Sequence, residues 1–270
     1  MRSNRLTNCG GGIAELIDVL PMIFTSLQQA QLEGRKQLAV LIDPDRTNRD
    51  LIQQMAGYAE RGLIDYFFWG GSLVQNAQVD YYLSLLKALT DRPVLLFPGS
   101  QYQLNDKADG LLLLSLISGR NPELLIGQHV QCAARIKQSN LEVIPTGYML
   151  VDGGAPTSVS YMSNTQPIPA NKPGIAAATA LAGSYLGLKT IYLDAGSGAP
   201  NAVSPAVVEA VRSEIELPLI VGGGIRDVET AAKTLKAGAD LIVVGNSLER
   251  HPNWLPALAN VVRSGSKIIA

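Results

Sequence analysis

The sequence predicts an α/β fold, namely a closed (β/α)8 barrel of the TIM-barrel type. Eight short apolar segments alternate along the chain with stretches of helical periodicity, which is the pattern of parallel strands joined by crossover helices. The last three strands each run into a glycine-rich loop at the same end. A chain of 270 residues with 47% hydrophobic content and no break in composition is long enough for one such barrel.

The predicted elements follow one another along the chain. Residues 1–36 are expected to form a helical extension packed on the barrel floor, and residues 37–270 the single barrel domain. The predicted strands are LAVLID, DYFFWGG, PVLLFPG, GLLLLS, LEVIPTGYMLV, TIYLD, LPLIV and LIVVG. The predicted helices span residues 48–61, 77–89, 122–138, 173–186, 204–215 and 227–237, with Ser204 and Asp227 as N-caps.

Two connections depart from this repeat. Between the third and fourth strands only residues 99–109 remain, which are polar, lack helical periodicity and are too few for a crossover helix. We therefore expect the third outer helix to be missing or replaced, which would bare the apolar flank of the sheet as a groove. The long loop 152–172 is rich in Gly, Pro, Ser, Thr and Asn and is predicted to be a functional or mobile lid.

Composition argues against several classes of function. A formal charge of −1 with scattered basic residues does not provide the electropositive surface that nucleic acid needs. Cys9 and Cys132 are too few for a disulfide framework or a zinc site, which favours a reducing compartment and a cytoplasmic location. Charges and a proline interrupt the apolar stretch 13–30, and no run approaches about 18 apolar residues. Neither a signal peptide nor a membrane span is therefore expected.

The three glycine loops predict an anion site at one rim of the barrel. They comprise residues 194–198, 222–224 and 245–246. Parallel strands gather such loops on one face, where glycine lets backbone N–H groups approach an anion. Any single loop is equally compatible with a tight turn that binds no ligand. The loops after strands seven and eight of these barrels are a recurrent phosphate site, so three loops in succession favour phosphate.

Asp43 and Asp45 follow the first strand and are expected on the same face as the glycine loops. Paired carboxylates at a strand end suit a hard cation such as Mg²⁺, and Ser72, after the second strand, could add a hydroxyl ligand. Each feature also has a structural interpretation. The segment 43–45 is a common turn and capping sequence, and Ser72 could be the N-cap of the next helix.

Asp194 stands out because a carboxylate would repel a phosphate bound by the glycine loop that it opens. Its natural partner is a hydroxyl group, so Asp194 could orient or deprotonate an alcohol nucleophile, and the alternative is a capping residue in a turn. His129 and His251 have no companion at metal-ligand spacing and are interpreted as structural or solvent-facing.

Five motifs, in this order, resemble the geranylgeranylglyceryl phosphate synthase family, including its bacterial members. They are LIDPDRTN, WGGS, YLDAGSGAP, VGGGIR and VVGNSLE, and they span about residues 38–249. The resemblance implies a prenyltransferase of ether-lipid biosynthesis that uses Mg²⁺. Such an enzyme transfers a long isoprenyl (geranylgeranyl) group from its diphosphate to the sn-3 hydroxyl of sn-glycerol 1-phosphate. The resemblance further implies a prenyl groove beside the replaced helix, a homo-oligomer (dimer or hexamer) and peripheral membrane contact for the lipid product.

The resemblance also implies site residues. The family's metal positions fall on Asp43 and Ser72. Our hypothesis for the mechanism has Mg²⁺ on Asp43, with Asp45 and Ser72 as candidate further ligands, assist departure of the diphosphate while Asp194 aims the attacking hydroxyl. The family's glycerol phosphate positions fall on Tyr192, Leu193, Asp194, Ala195, Gly196, Ser197, Gly198, Gly223, Gly224, Gly245 and Asn246. One departure is visible: members of the other main branch carry a lysine where this chain has Leu41.

Two alternatives remain open at this point. A sugar-phosphate isomerase of histidine or tryptophan biosynthesis would share the glycine loops, but it needs an acid/base pair on strands one and five. Strand five offers no carboxylate at its carboxyl end before Asp152. The other alternative is a barrel that binds a prenyl or glycerol phosphate without turnover. The prenyl chain length depends on the side chains at the groove floor, for which Leu124 is a candidate.

Overall fold

The computed structural model describes residues 22–76, 78–245, 248 and 252–266. Eight parallel strands pair in sequence order and close into one barrel, so the predicted fold class is confirmed. The strands are β1 (Gln37–Ile42), β2 (Tyr66–Trp69), β3 (Val94–Leu96), β4 (Gly110–Leu116), β5 (Glu142–Leu150), β6 (Thr190–Asp194), β7 (Leu219–Gly222) and β8 (Leu241–Val244).

Helices follow the strands and cover most of the barrel. They are α1 (Ile23–Leu32), α2 (Arg49–Glu60), α3 (Val79–Leu89), α4 (Gln128–Gln138), α5 (Ser158–Ser163), α6 (Pro173–Tyr185), α7 (Pro205–Glu214), α8 (Val228–Lys236) and α9 (Leu255–Gly265). The predicted N-caps are confirmed, because the side chains of Ser204 and Asp227 accept hydrogen bonds from the N–H groups of Val207 (3.4 Å) and Thr230 (2.7 Å). These bonds satisfy donors that a helix start leaves without a partner.

The alternation of side chains along each strand divides the core into two layers. One layer fills the barrel interior, and near the upper rim it is aromatic, with Phe68, Phe97, Tyr148 and Tyr192 in one cluster. The other layer packs between the strands and the surrounding helices and is mostly aliphatic. The barrel is therefore a packed core and not a pore, and chemistry is confined to its rims and flanks.

Helix α1 closes the lower end of the barrel. Its side chains Ile23 and Leu27 join the interior layer. The Glu142 carboxylate, at the start of β5, accepts hydrogen bonds from the N–H groups of Ile23 (2.5 Å) and Phe24 (2.8 Å), which caps the helix start. The described part of the predicted extension thus lies on the barrel floor, and residues 1–21 of that extension lie outside the described residues.

The prediction of a missing third outer helix is confirmed. After β3 the chain makes a single 3-10 turn, Gln101–Gln103, and then returns directly to β4. Leu113 of β4 faces the outer layer and is consequently only half-buried, although it lies in the middle of a barrel strand. An apolar flank of the barrel is therefore left without a covering helix.

The long loop 152–172 contains helix α5, which the sequence did not indicate. Thr157 and Ser160 cap its start reciprocally, in a capping box. Further on, Ile168 donates to the Leu150 carbonyl and accepts from Asp152, each at 2.9 Å, which fixes the chain to the end of β5. The loop that was predicted to be a lid is thus fixed to the end of β5 through Ile168.

At the lower rim, aspartates at the starts of β2, β4 and β8 accept N–H groups of the preceding strands. The pairs are Asp65 with Leu38 (2.8 Å), Asp109 with Val94 (2.8 Å) and Asp240 with Leu219 (2.9 Å). Asp240 also binds Arg212 (2.9 Å) and the buried Lys36 (3.5 Å). These carboxylates tie neighbouring strands together, so the lower rim serves stability.

We predict that Asp240→Ala lowers the free energy of unfolding by about 3–5 kcal/mol, because it leaves the buried Lys36 ammonium without its counter-ion. Urea unfolding followed by circular dichroism measures this loss. Glu229→Ala is the matched control, since the Glu229–Lys233 pair is exposed and its loss should lower the free energy of unfolding far less. Equal effects of the two substitutions would contradict the proposed role of the buried network.

Candidate functional site

The upper rim brings the glycine loops after β6 and β7 into direct contact. A side chain on Gly223 would place its Cβ 2.5 Å from Asp194 Oδ1 and 2.7 Å from the Gly196 nitrogen. A side chain on Gly224 would place its Cβ 2.6 Å from the Ala202 nitrogen. Both residues also have left-handed φ values, +76° and +68°, so only glycine fits here without strain. The predicted convergence of these two loops is therefore observed.

Arg226 holds the outside of the loop after β6. Its guanidinium donates hydrogen bonds to the carbonyl oxygens of Gly198 (3.1 Å) and Ala199 (2.6 Å). Arg226 is exposed at the rim, and Ser197 and Gly198 beside it are exposed as well. A cation and an accessible glycine backbone therefore lie together, an arrangement suited to an anion. Arg226 belongs to the motif VGGGIR, but no role was predicted for it.

Asp194 is buried at the end of β6. Its Oδ2 accepts a hydrogen bond from the Tyr148 hydroxyl (2.6 Å), and its Oδ1 accepts one from the Gly196 N–H (2.7 Å). Burial raises the pKa of Asp194 above its ordinary value, and these two hydrogen bonds oppose that rise. Gly196 N–H is thus bonded to Asp194, and the glycerol phosphate contact expected at Gly196 stays a prediction.

Tyr148 is the functional candidate that the sequence analysis missed. It lies opposite Tyr192 in the register of β5 and β6, and the two rings stack at 5.5 Å. The pKa values of both hydroxyls are raised well above their ordinary value, by burial first and by the Asp194 charge second. Both tyrosines therefore stay protonated, and Tyr148 remains a hydrogen-bond donor to Asp194. The alternation of side chains along β5 places Tyr148 inside the barrel, and this alternation was the sequence feature that could have indicated a role for it.

The other residues predicted to bind glycerol phosphate differ in which of their atoms face the rim. The side chains of Leu193 and Ala195 pack in the outer core layer, so only their backbone faces the rim. Gly245 lies against β1, because a Cβ there would be 3.2 Å from the Leu41 carbonyl oxygen. Asn246 lies outside the described residues.

Asp43 lies beside the loop after β2. A Cβ on Gly71 would be 3.5 Å from Asp43 Oδ1, which places the carboxylate next to the residue that precedes Ser72. Asp43 accepts a hydrogen bond from Asp45 N–H (3.0 Å) and lies 3.7 Å from the exposed Arg46. Partial burial raises its pKa, while Asp45 N–H and Arg46 oppose the rise. Asp43 and Ser72 are thus on neighbouring loops of one rim, as predicted.

Asp45 has a structural role, so its suggested part in metal binding is not supported. Its carboxylate accepts hydrogen bonds from the N–H groups of Gln75 (2.9 Å) and Asn76 (2.7 Å), about thirty residues away. It thereby fixes the loop after β2 against the loop after β1. The capping interpretation of Ser72 is wrong as well, because α3 begins only at Val79.

The donor set at Asp43 fits Mg²⁺. Among the residues that the structure describes, no group of three or more His, Cys, Asp or Glu side chains converges, so a zinc-type site is not formed there. Mg²⁺ needs fewer protein ligands, since it takes oxygen donors and usually retains waters and substrate phosphates. The Asp43 carboxylate, with Ser72 on the neighbouring loop as a second oxygen donor, would meet that need. His129 is structural, with Nε2 2.8 Å from the Leu114 carbonyl oxygen.

An apolar groove occupies the flank that lacks a helix. Its upper end is formed by Gly71, Ser72 and Gly99, next to Asp43. Tyr148 lines the same groove, so one residue contacts both the groove and Asp194. The apolar lining comprises Phe97, Leu104, Leu111, Leu112, Leu113, Leu114, Leu116, Leu124, Cys132, Ile136, Tyr148 and Val159.

Leu124 lines this groove near its upper end. It precedes α4 and packs against the cluster inside the barrel. Because α4 runs back down the barrel, Ile136 in its last turn lies at the lower end, together with Leu111 at the start of β4. The candidate floor residue Leu124 is therefore at the upper end of the groove, and Ile136 and Leu111 are at its lower end. Within the described part of the chain, no helix is long and apolar enough to cross a membrane.

The fold and this rim define a class of protein: a (β/α)8 barrel with glycine loops suited to an anion and a flanking groove suited to an apolar chain. Sequence comparison is more specific, since the model of the PcrB family matches residues 31–262. Two bacterial relatives are both named geranylgeranylglyceryl phosphate synthase. That of Chitinophaga pinensis is 49% identical over 247 residues, 92% of this chain and 98% of the relative. The relative from Spirosoma linguale is 51% identical over 243 residues, which are 88% of this chain and 96% of the relative.

A solved structure agrees with these relatives. The crystal structure of (S)-3-O-geranylgeranylglyceryl phosphate synthase from Thermoplasma acidophilum, in complex with its substrate sn-glycerol-1-phosphate, is similar with a TM-score of 0.84. The two sequences are 33% identical, and the match covers 92% of this chain and 99% of the other. The chain belongs to the PcrB family, and its predicted resemblance to geranylgeranylglyceryl phosphate synthases is confirmed.

We predict that Gly224→Ala lowers the free energy of unfolding by about 1–3 kcal/mol, because φ at this residue is +68° and the added Cβ would collide with the Asn201 carbonyl. Gly57→Ala is the matched control. Space around Gly57 is open and the residue lies inside α2, so this change should stabilise the protein by up to about 1 kcal/mol. Urea unfolding compares the two, and a Gly224→Ala protein as stable as the unmodified one would contradict the close contact.

Proposed function

We propose that this protein is a prenyltransferase that joins a long isoprenyl (geranylgeranyl) group to the sn-3 hydroxyl of sn-glycerol 1-phosphate, releasing diphosphate. The observation that carries the proposal is the continuity of the site. The apolar groove begins beside Asp43 and Ser72 and includes Tyr148, which is bonded to Asp194 at the glycine rim. The names of the similar proteins, and the substrate in the Thermoplasma structure, support the same reaction.

The acceptor would bind at the glycine rim. Its phosphate would be held by backbone N–H groups of residues 197–198 and 223–224 and, on the outer side, by the Arg226 guanidinium. Its glycerol hydroxyl would face Asp194, since a carboxylate beside a phosphate site is best matched with a donor. In this orientation the negative phosphate faces positive groups, and the hydroxyl at the other end of the acceptor faces the negative carboxylate.

The donor would lie in the groove with its diphosphate at the upper end. The tail would contact the exposed flank of β4 and the facing side of α4, where the lining is apolar. We propose that Asp43 and Ser72 hold Mg²⁺, which when bound neutralises charge on the departing diphosphate. Arg46, 3.7 Å from Asp43, adds positive charge to the same end of the groove.

The reaction forms one bond and breaks one bond. The acceptor oxygen bonds to the first carbon of the prenyl group as the bond between that carbon and the diphosphate oxygen breaks. The hydroxyl proton passes to Asp194, whose Oδ2 is held by the Tyr148 hydroxyl. Because the partners of Asp194 are already in place, much of the rate enhancement would come from positioning and charge neutralisation.

The sugar-phosphate isomerase alternative is not supported. Its acid/base pair would need a carboxylate at the upper end of β5, where Tyr148, Met149 and Leu150 stand. Glu142 is at the opposite end of the barrel and caps α1. Asp152 lies beyond the strand, and its Oδ1 accepts a hydrogen bond from Gly154 N–H at 2.8 Å.

We predict that the protein transfers prenyl groups to sn-glycerol 1-phosphate in the presence of Mg²⁺, and that Asp43→Asn reduces kcat/KM by roughly 10²-fold or more, because a charged metal ligand is lost. A radiolabelled transfer assay with geranylgeranyl diphosphate, with and without Mg²⁺, measures both effects. Asp50→Asn, at an exposed carboxylate in the first turn of α2, is the matched control.

Two outcomes would count against this proposal. Absence of transfer from prenyl diphosphates of any length would favour a barrel that binds these ligands without turnover. Full Mg²⁺-dependent activity of Asp43→Asn, with circular dichroism unchanged, would show that the metal site lies elsewhere.

We predict that Tyr148→Phe shifts the acid limb of the kcat/KM profile to higher pH. Activity requires ionised Asp194, whose pKa is raised by burial and lowered by the Tyr148 hydrogen bond. Removal of that bond raises the pKa further, so activity is lost at a higher pH as the medium is acidified. Loss of a hydrogen bond to a charged group should also reduce kcat/KM by about tenfold.

Tyr66→Phe is the matched control for this experiment. The Tyr66 hydroxyl accepts a hydrogen bond from Gln37 (3.1 Å), and both residues belong to the lower half of the barrel, away from Asp194. The acid limb of Tyr66→Phe should coincide with that of the unmodified protein. An unshifted limb in Tyr148→Phe would mean that Tyr148 does not act through Asp194.

A further inference from the structure

The turn that replaces the third outer helix contacts the proposed metal loop through one side chain. Gln103, in this turn, donates a hydrogen bond from Nε2 to the Gly71 carbonyl oxygen (2.8 Å). Its Oε1 accepts hydrogen bonds from the N–H groups of Gly99 (3.2 Å) and Gly71 (3.4 Å). A single amide group therefore binds both polar groups of Gly71 and joins the loops after β2 and β3.

These contacts lie immediately behind the proposed metal ligands. Gly71 has Gln103 on one side and the Asp43 carboxylate on the other, since a Cβ on Gly71 would be 3.5 Å from Asp43 Oδ1. Ser72 is the next residue along the chain. The loop after β3 packs against the same place, because a Cβ on Gly99 would be 2.7 Å from the Ser72 carbonyl oxygen. The backbone around Ser72 thus has little room to move.

The far side of the loop is fixed independently. Asp45 accepts the N–H groups of Gln75 and Asn76, and Asn76 donates to the Pro44 carbonyl oxygen (2.7 Å). Ser72 therefore lies between two anchors, Asp45 on the β1 side and Gln103 on the β3 side. Only the second anchor belongs to the segment that also walls the groove.

The same segment holds the groove together. Leu104 is buried and lines the groove, and its carbonyl oxygen accepts a hydrogen bond from Arg135 of α4 (2.7 Å). Gln101 donates to Gln131 of α4 (2.6 Å). A change in the groove wall would therefore be transmitted to Gln103, and from Gln103 to the peptide of Gly71.

We infer that Gln103 is a positioning residue, which holds the Gly71–Ser72 backbone against Asp43 and couples the metal loop to the wall of the prenyl groove. This inference rests on the proposed function, in which Asp43 and Ser72 bind Mg²⁺. Residues that orient metal ligands from behind are worth about 10-fold to 100-fold in metal affinity.

The test measures direct binding of Mn²⁺, which serves as the probe for Mg²⁺. Electron paramagnetic resonance gives the concentration of the unbound ion. Gln103→Ala removes all three hydrogen bonds, and the near-isosteric Gln103→Met removes the same three without adding a charge. We expect both variants to weaken Mn²⁺ binding by about tenfold. Tyr102→Ala is the matched control, because Tyr102 belongs to the same turn and is 85% exposed.

Asp43→Asn separates this inference from the proposed function. If the unmodified protein and Asp43→Asn bind Mn²⁺ equally, the proposed metal site is wrong and the role of Gln103 fails with it. If binding depends on Asp43 but the Gln103 variants bind like the unmodified protein, the metal site stands and the positioning role is wrong.

A kinetic readout completes the test. In the transfer assay, the Mg²⁺ concentration for half-maximal rate should rise by about tenfold in both Gln103 variants, while KM for sn-glycerol 1-phosphate should stay unchanged. A purely structural role would instead lower the thermal unfolding temperature and change all kinetic parameters together. Such a result, with unchanged Mn²⁺ affinity, would overturn the inference.

Discussion

The upper rim depends on the buried carboxylate of Asp194. Its two oxygens bind groups on β5 and on its own loop, and Oδ1 lies against Gly223 of the next loop. Burial alone would favour the neutral acid, whereas hydrogen bonds from Tyr148 and Gly196 favour the ionised form. The same contacts that keep the charge available also fix the loops around it. The hydrogen bonds of Asp194 therefore determine both the geometry of the rim and the protonation state of this carboxylate.

Carboxylates at the two ends of this barrel differ in how many hydrogen-bond and ion-pair partners they have. Asp240, at the lower rim, has two cationic side chains and a backbone N–H as partners. Asp43, at the upper rim, has one backbone N–H and an exposed arginine at 3.7 Å. A carboxylate with remaining acceptor capacity beside a ligand groove can bind a further positive charge. The same residue type thus stabilises the fold at one end and serves the site at the other.

The architecture could be predicted from the sequence because it follows from local patterns of hydrophobic residues and from segment lengths. Alternating strand and helix patterns predicted the barrel, and the shortness of segment 99–109 predicted the missing helix. The role of Asp45 could not be predicted, because its partners Gln75 and Asn76 lie in another loop. Helix α5 was missed because six residues are too few to show periodicity. Tyr148 was missed because its contact with Asp194 depends on the register between β5 and β6.

The replaced helix explains why the groove and the loop proposed to bind metal share a wall. A full helix after β3 would cover Leu113 and fill the space in which we propose that the donor's tail binds. The single turn in its place leaves that space open and is short enough for Gln103 to reach Gly71. A diphosphate and its prenyl tail are covalently joined, so their two binding regions must keep a fixed separation. One rigid segment that contacts both regions meets this requirement with few residues, because it leaves no flexible linker between them.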